Sequence, residues 1–431
     1  MNYIDLFAGA GGLSEGFIKA GFNPVAHVEM DKAACDTLRT RMAFHYLKRK
    51  GKIELYNQYL QQQISRNQFY KNIPVHLLES VIHAEIDDKT IESVFSKIDH
   101  LRKGSEINLI VGGPPCQAYS TVGRSKINSL ENRHVSDDVR YSLYKQYGRF
   151  LQRYQPACFV FENVLGLLSA ENGTLITKIS KFFESECGYK TQWQVLEANK
   201  YGVLQVRKRV ILIGRRGNDS FDYPEPDTIT RQRDWTVGDA LLADLEPLSP
   251  GEEKHISSYT TEKASSYLST FGIRSDSNFV TQHITRAHNE RDLAIYKLAI
   301  EKWQSRLRLK YTDVPEKLRT HKNLNAFLDR YKVVDPQGLC HTVVAHLSKD
   351  GHYYIYPNKD QIRSISVREA ARIQSFPDDF YFEGGRTAAY RQIGNAVPPL
   401  LAECIANRLR KTFFQERCEL HSANDTVVTP I

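Results

Sequence analysis

The chain has 431 residues, of which 41% are hydrophobic and 25% charged, and a formal net charge of +8. Such a length and composition predict a globular protein with one large domain and a smaller one, able to bury a core without staples. No apolar run approaches the ~20 residues that span a bilayer, and the seven cysteines (Cys35, Cys116, Cys158, Cys187, Cys340, Cys404, Cys418) contain no CxxC pair, which argues against a zinc site or a disulfide framework. The opening MNYIDLFAGAGG has Asp5 and no basic leader, so it is not read as a secretory signal and the cytoplasm is the expected compartment.

Residues 3–7 predict a short apolar strand, 8–12 a small-residue turn, 13–20 a helix capped by Gly21, and 24–28 a second strand. This βαβ opening points to a doubly wound, Rossmann-like parallel α/β sheet. Further strands are expected at 108–111, 158–161, 193–196 and 209–214, and helices at 140–154 and 175–187. The stretch 36–105, rich in Lys, Gln, Tyr and Leu, predicts a mostly helical elaboration without chemistry of its own. After Arg216 the texture changes, and βα alternation is lost until about residue 360. The shifts predict a unit formed by 1–216 together with 355–420, a second unit at 217–354, and a frayed tail at 421–431. Residues 217–282 carry 12 acids against five Lys and Arg, whereas 283–332 carries 12 Lys and Arg against six acids. Tyr296, Trp303, Tyr311, His321, Asn323, Asn325 and Tyr331 are interleaved among them. Residues 365–414 return to helix, loop and helix.

Two segments invite chemistry. Asp5-Leu-Phe-Ala-Gly-Ala-Gly-Gly-Leu13 is a glycine-rich approach to a helix N-terminus, with Glu29 after the next strand, where an acid can grip a ribose diol. A nucleoside cofactor and a plain tight turn both fit. Ser14 stands where a dinucleotide fingerprint needs its third glycine, which favours S-adenosylmethionine over NAD, since the former has no pyrophosphate to cradle. The second segment is the strand 108–111, which runs into Gly112-Gly113-Pro114-Pro115-Cys116-Gln117. Strand ends of open α/β sheets are where ligands bind. That position marks Cys116 as a nucleophile, whereas a lone cysteine is ordinarily a small buried hydrophobe. The polar stretch 118–139 would then be a mobile active-site loop.

The segments DLFAGAGGLSEGF (5–17), GGPPCQAYS (112–120), FENV (161–164), QVRKRV (205–210), VREAARIQSFPDDF (367–380) and QIGNAVPP (392–399) stand in the motif order of the DNA (cytosine-5)-methyltransferases. The chain resembles that family almost end to end, and most of all its compact restriction-modification type. The resemblance implies an S-adenosylmethionine-dependent methyltransferase sheet with a smaller DNA-recognition domain. It also implies that the Cys116 thiolate adds to carbon 6 of cytosine, making carbon 5 nucleophilic enough to take a methyl group. Such a thiolate needs nearby positive charge or a base. Glu162 would meet ring N3 and the amino group, for which it should carry a proton. Arg209 would meet the base or its adduct, and Arg207 would help hold phosphate or the active-site loop. The implied cofactor contacts are Phe7, Ala8, Gly9, Gly11, Gly12, Leu13, Glu29, Met30, Asp87, Pro114, Asn395 and Ala396, with no metal. In this set Met30 takes the place of a flat apolar residue on adenine, and Asp87 or Glu85-Ile86 that of an Asp-Ile pair. Asn395 would close over the methionine end, which builds the catalytic domain from both ends of the chain. Arg368 and Glu369 would organise the interface with the recognition domain.

The implied partner is double-stranded DNA, with the target base flipped out of the stack and phosphates held by basic residues of 283–332. A monomer associated with the nucleoid, sharing its DNA site with a cognate restriction endonuclease, completes the expectation. Two alternatives share the motifs. A tRNA cytosine-5 methyltransferase of the same fold would carry a Cys-Phe-Thr segment, which is absent here. A catalytically silent DNA-binding regulator would have lost Cys116, Glu162 or the cofactor loop.

Overall fold

The structure is a computed structural model that describes residues 1–115, 143–217, 223–225, 235–242, 244–274 and 277–415. Cys116, the expected active-site loop at 118–139 and the tail at 421–431 lie outside these residues.

Seven strands form the central sheet: β1 (Asn2–Leu6), β2 (Asn23–Glu29), β3 (Val81–His83), β4 (Leu109–Gly112), β5 (Cys158–Asn163), β6 (Lys190–Glu197) and β8 (Lys208–Arg215). Their order is β3-β2-β1-β4-β5-β8-β6. The first five are mutually parallel, and β8 runs antiparallel to both β5 and β6. Side chains on successive strand residues point to opposite faces. Here Ile4, Ile110, Phe159, Phe161, Val210 and Leu212 enter one hydrophobic cluster, while Tyr3, Leu109, Val111, Val160, Ile211 and Ile213 enter another. A sheet buried on both faces is what such continuous apolar runs specify. Helices α6 (Ile91–Arg102), α7 (Leu143–Tyr154) and α8 (Leu175–Ser185) cover the first face. Helices α1 (Gly12–Lys19) and α13 (Pro399–Arg410) cover the second. The doubly wound α/β reading is therefore correct, and the C-terminal helix packs with the first helix on the second face of the sheet.

The 36–105 elaboration is helical through α2 (Lys32–Arg49), α3 (Ile53–Leu60), α4 (Arg66–Tyr70) and α5 (Val75–Glu79), but it also contains β3. Three residues between helices give too short a run for alternation to reveal.

Regular structure is sparse after β8. Strands β9 (Glu253–Ser258) and β10 (Phe279–Ile284) form a two-stranded antiparallel sheet, and β7 (Gln205–Val206) pairs with β11 (Cys340–His341) in a parallel one. The helices here are α9 (Ser266–Thr270), α10 (Glu290–Gln304), α11 (Val367–Ile373) and α12 (Arg386–Asn395). Residues 217–354 do not share one core. Val237, Tyr267, Ile284, Val343 and Tyr354 pack with Val367, Phe376 and Ile393 of the C-terminal segment. Ile295, Tyr296, Ile300, Tyr311, Val314 and Tyr331 form a separate cluster.

Buried charged groups link these pieces. Arg372, 0% exposed, joins Asp378 (Nη2–Oδ2 2.6 Å) to Asp244. Arg363 pairs with Glu369 at 2.8 Å, and Arg368 donates to the carbonyls of Thr281 and Phe380 at 2.9 Å each. Thr281 belongs to β10, and Ser366 caps α11 in a reciprocal pair with Glu369.

Candidate active site

The loops that follow β1, β2, β4 and β5 leave the sheet at one edge, because those strands are parallel. Strand β8 enters at that same edge because it is antiparallel, with Asn163 opposite Val210 and Glu162 opposite Ile211. Arg209 therefore stands beside Glu162. Its Nε lies 2.6 Å from Glu162 Oε1, with the two side chains only 10% and 14% exposed. Glu162 Oε2 faces the backbone that leads to Cys116: a Cβ added to Gly113 would sit 2.4 Å from it. That contact explains the glycine by close approach. Asn163 Nδ2 donates to the Pro114 carbonyl at 3.3 Å, and Asn163 Oδ1 accepts from Val164 N at 2.9 Å. A cleft of ≈ 380 Å³ opens next to this group, lined by Val164, Leu165, Gly166, Val206, Lys208, Arg209 and Thr342.

At the ends of β1 and β2, the carboxylate of Glu29 accepts from Gly9 N (2.8 Å), Met30 N (2.8 Å) and Asp31 N (2.7 Å). Burial raises its pKa, opposed by those amides. Phe7, Gly9 and Gly11 have positive φ, so the loop turns sharply before α1. Ala8 and Leu13 are buried, whereas Met30 is 55% exposed next to Glu29. The turn between α12 and α13 closes on the start of α1, where a Cβ on Gly12 would lie 2.3 Å from the Val397 carbonyl and 3.2 Å from Ala396 Cβ. Asn395 is exposed at the end of α12. The structure thus brings the first-motif loop, Glu29, Met30, Asn395 and Ala396 to one region. Asp87 is engaged differently: its carboxylate accepts from Lys89 N at 2.9 Å and Thr90 N at 2.8 Å, forming the turn ahead of α6.

The family model described as C-5 cytosine-specific DNA methylase matches residues 1–64 and 49–411. The chain is 40% identical to the type II methyltransferase M.Bpa9945I of Bacillus paralicheniformis, over 95% of this chain and 98% of that one. It is 31% identical to the type II methyltransferase M1.HphI of Haemophilus parahaemolyticus, over 95% and 87%. Among solved structures, a prophage-encoded E. coli protein described as a DNA modification methyltransferase superposes with a TM-score of 0.61 at 24% identity, covering 95% of this chain and 99% of that one. The chain belongs to the C-5 cytosine-specific DNA methylase family. It is a DNA (cytosine-5-)-methyltransferase.

For this methyltransferase one expectation needs correcting. Arg207 was expected to hold phosphate or the active-site loop; the loop lies outside the described residues, and at 0% exposure Arg207 is closed to a phosphate. Its Nη1 donates to the Val343 carbonyl (2.6 Å), and its Nη2 to those of Gly394 (3.2 Å) and Ala396 (2.7 Å). A guanidinium so enclosed positions the 394–396 turn against β7. Gln205 and Gln374 assist it, joined Nε2 to Oε1 at 2.8 Å, and Gln205 Oε1 accepts from Val343 N at 2.8 Å. Neither glutamine was singled out from the sequence, although both lie inside the quoted motifs. Thr342, Val206 and Leu165 in the cleft wall were also missed. Their meeting depends on the β7–β11 pairing of segments far apart in the chain, which leaves no local signal.

The methyltransferase also holds a carboxyl that the sequence reading passed over. Asp5 is 1% exposed, and neither carboxyl oxygen has a hydrogen-bond partner among the described residues. Burial and then the charge of Glu29 push its pKa well above the ordinary carboxylate range. Together, the Glu29 carboxylate, the exposed apolar Met30, the sharply turned loop and the orphaned Asp5 oxygens fit a nucleoside-containing methyl donor.

Proposed function

We propose that the chain transfers a methyl group from S-adenosylmethionine to carbon 5 of a cytosine flipped out of a specific duplex sequence, through a covalent adduct with Cys116. The observation that carries this reading is the Glu162–Arg209 pair at 2.6 Å, set beside Gly113 at the mouth of the cleft. A base inside a duplex cannot present both ring faces, so flipping is required. Bound in the cleft, the cytosine would place N3 and its amino group against Glu162. The Cys116 thiolate forms a bond to carbon 6, and the ring electrons reach carbon 5, with Glu162 and Arg209 stabilising the charge that develops on the ring. S-adenosylmethionine supplies an electrophilic methyl group on its sulfonium. Loss of the carbon 5 proton and departure of the Cys116 sulfur from carbon 6 restore the aromatic ring.

Phe7, Ala8, Gly9, Gly11, Gly12, Leu13, Glu29, Met30, Pro114, Asn395 and Ala396 would hold the methyl donor. The recognition task falls to 217–354, and most of all to the basic stretch 283–332, where Arg308, Lys310, Lys317 and Lys322 are exposed. Charges of this kind hold phosphates without reading sequence. The type II methyltransferases among the relatives support a role in protecting host DNA from a cognate restriction endonuclease. Among the described residues no helix is long and apolar enough to cross a membrane.

The test is methyl transfer from labelled S-adenosylmethionine to duplex genomic DNA and to tRNA, with sequencing of the modified DNA. 5-Methylcytosine confined to one short DNA sequence is expected. Preferential transfer to tRNA, or methylation of another atom, would refute the proposal.

A further inference from the structure

Phe327 is the most exposed of the large hydrophobic side chains among the described residues, at 74%. Its φ is +54, a left-handed backbone that a bulky L-residue holds only when its surroundings impose it. The surroundings do so here. Arg330 Nε donates to the Phe327 carbonyl at 3.0 Å and its Nη2 to Ala326 O at 3.3 Å, while the guanidinium lies 3.9 Å above the ring of Tyr311. Tyr311 is wholly buried, and its N–H donates to Leu328 O at 2.7 Å. The loop is thus clamped to the 295–333 core on both sides of Phe327, and the aromatic ring is held out in water.

Charge and position indicate what that ring meets. Residues 305–332 carry eight Lys and Arg against three acids, which suits a polyanion. The loop ends on the segment 352–355, where Lys332 N donates to His352 O (2.9 Å) and Ile355 N to Lys332 O (2.8 Å). The same segment supports the active-site cleft, since Val344 N donates to Tyr354 Oη at 3.0 Å and Thr342 lines the cleft. One short segment therefore ties the Phe327 loop to the place where the target base would sit.

We propose that Phe327 is a wedge that enters the duplex between base pairs of the recognition sequence. An apolar wedge unstacks one step, and steps differ in how readily they unstack. The deformability of that step thereby becomes part of the enzyme's specificity, while the neighbouring lysines and arginines hold the phosphates on either side. This rests on the reading of 283–332 as the DNA-facing stretch.

The test uses the full chain and a short duplex carrying the methylated sequence once it has been mapped. Phe327→Ala should lower kcat/KM on that duplex by about ten- to a hundredfold, the range for losing one base–aromatic stack. Phe327→Trp should recover most of it. Because the side chain is exposed, the melting temperature and the affinity for a random duplex should stay within about twofold-equivalent limits. With 2-aminopurine placed at successive steps, one position should brighten on binding wild type and not Phe327→Ala. An unchanged kcat/KM, no brightened position, or an equal loss on mapped and random duplexes would each overturn the wedge. A Lys317→Glu, Lys322→Glu double variant separates the two readings. If it weakens random-duplex binding while Phe327→Ala is silent, only the wedge fails; if both are silent, the DNA-facing assignment fails too.

Discussion

The seven-stranded sheet and the region from 237 to 383 are held together by different means. In the sheet, strand ladders satisfy the backbone, and apolar side chains alternate between two helix-covered faces. Charged side chains at its C-terminal edge are then available to a ligand, as Glu162 and Arg209 are. In the second region strands are short and few among the described residues, so buried carbonyls and carboxylates need side-chain partners. Arg363, Arg368 and Arg372, all fully buried, provide them. An arginine therefore means different things in the two regions. Arg209 faces Glu162 at the edge of the sheet; Arg207, two residues earlier, already belongs to the second kind.

The comparison can be broken most forcefully at Arg372. Burial alone would raise the Asp378 carboxyl, but the guanidinium of Arg372 outweighs it and holds Asp378 below its ordinary range. Arg372→Met leaves the buried Asp378 carboxylate without its ion-pair partner and Asp244 with Arg274 at 3.4 Å as its remaining one, and should cost about 3–5 kcal/mol in urea unfolding. An undisturbed midpoint would show that the network is not structural. Glu162→Gln is the counterpart in the sheet. It should lower kcat/KM about 100- to 1000-fold with the unfolding midpoint preserved. If its stability fell as far as that of the Arg372 variant, the distinction between regions would disappear. Gly113→Ala should displace the Glu162 carboxylate from which its new Cβ would be 2.4 Å away. About a hundredfold loss of kcat is expected, since an error near 1 Å at reacting groups has that effect. Wild-type kcat would mean that Glu162 does not need its observed position.

The smallest effect is a shared one. Burial first of all lowers the pKa of His27 to about 3 and of His288 and His341 to about 4. In the unfolded chain these groups titrate near the ordinary imidazole value of 6.5. As pH falls below that value the unfolded state binds protons first, so stability is present above it and declines towards the folded pKa values. Each histidine should contribute a loss on the order of 1 kcal/mol by about pH 6. Asp5, raised by burial, pulls the other way as pH falls. The decline is therefore read as the difference in thermal unfolding between wild type and His288→Gln across that interval, and a difference that does not change with pH would contradict the burial of His288.

Much of the sheet was legible because alternating or continuous apolar strands, loops and helix caps are local signals. The strand β3 was not, since three residues carry no period. Cys116 stood out by its place after a predicted strand, and Glu162 by its place at the end of another. The meeting of Glu162 with Arg209 was legible only through the family resemblance, because it depends on β8 running antiparallel, which no local pattern states. The phosphate role for Arg207 was misread for a similar reason. Alternation along β8 separates it from Arg209, but its burial is created by Val343 and by the Gly394 and Ala396 carbonyls, which arrive from distant parts of the chain. The order of motifs did not show that Asp87 Oδ1 accepts from the Lys89 and Thr90 amides in the turn before α6.

The most direct test of the account is covalent trapping on duplex DNA in which the target cytosine is replaced by 5-fluorocytosine, with S-adenosylmethionine present. Fluorine at carbon 5 cannot leave as a proton does, so the enzyme should remain bound after methyl transfer. A denaturation-resistant complex is predicted for the wild-type chain and none for Cys116→Ala. No complex with wild type, or an undiminished one with Cys116→Ala, would contradict Cys116 as the nucleophile.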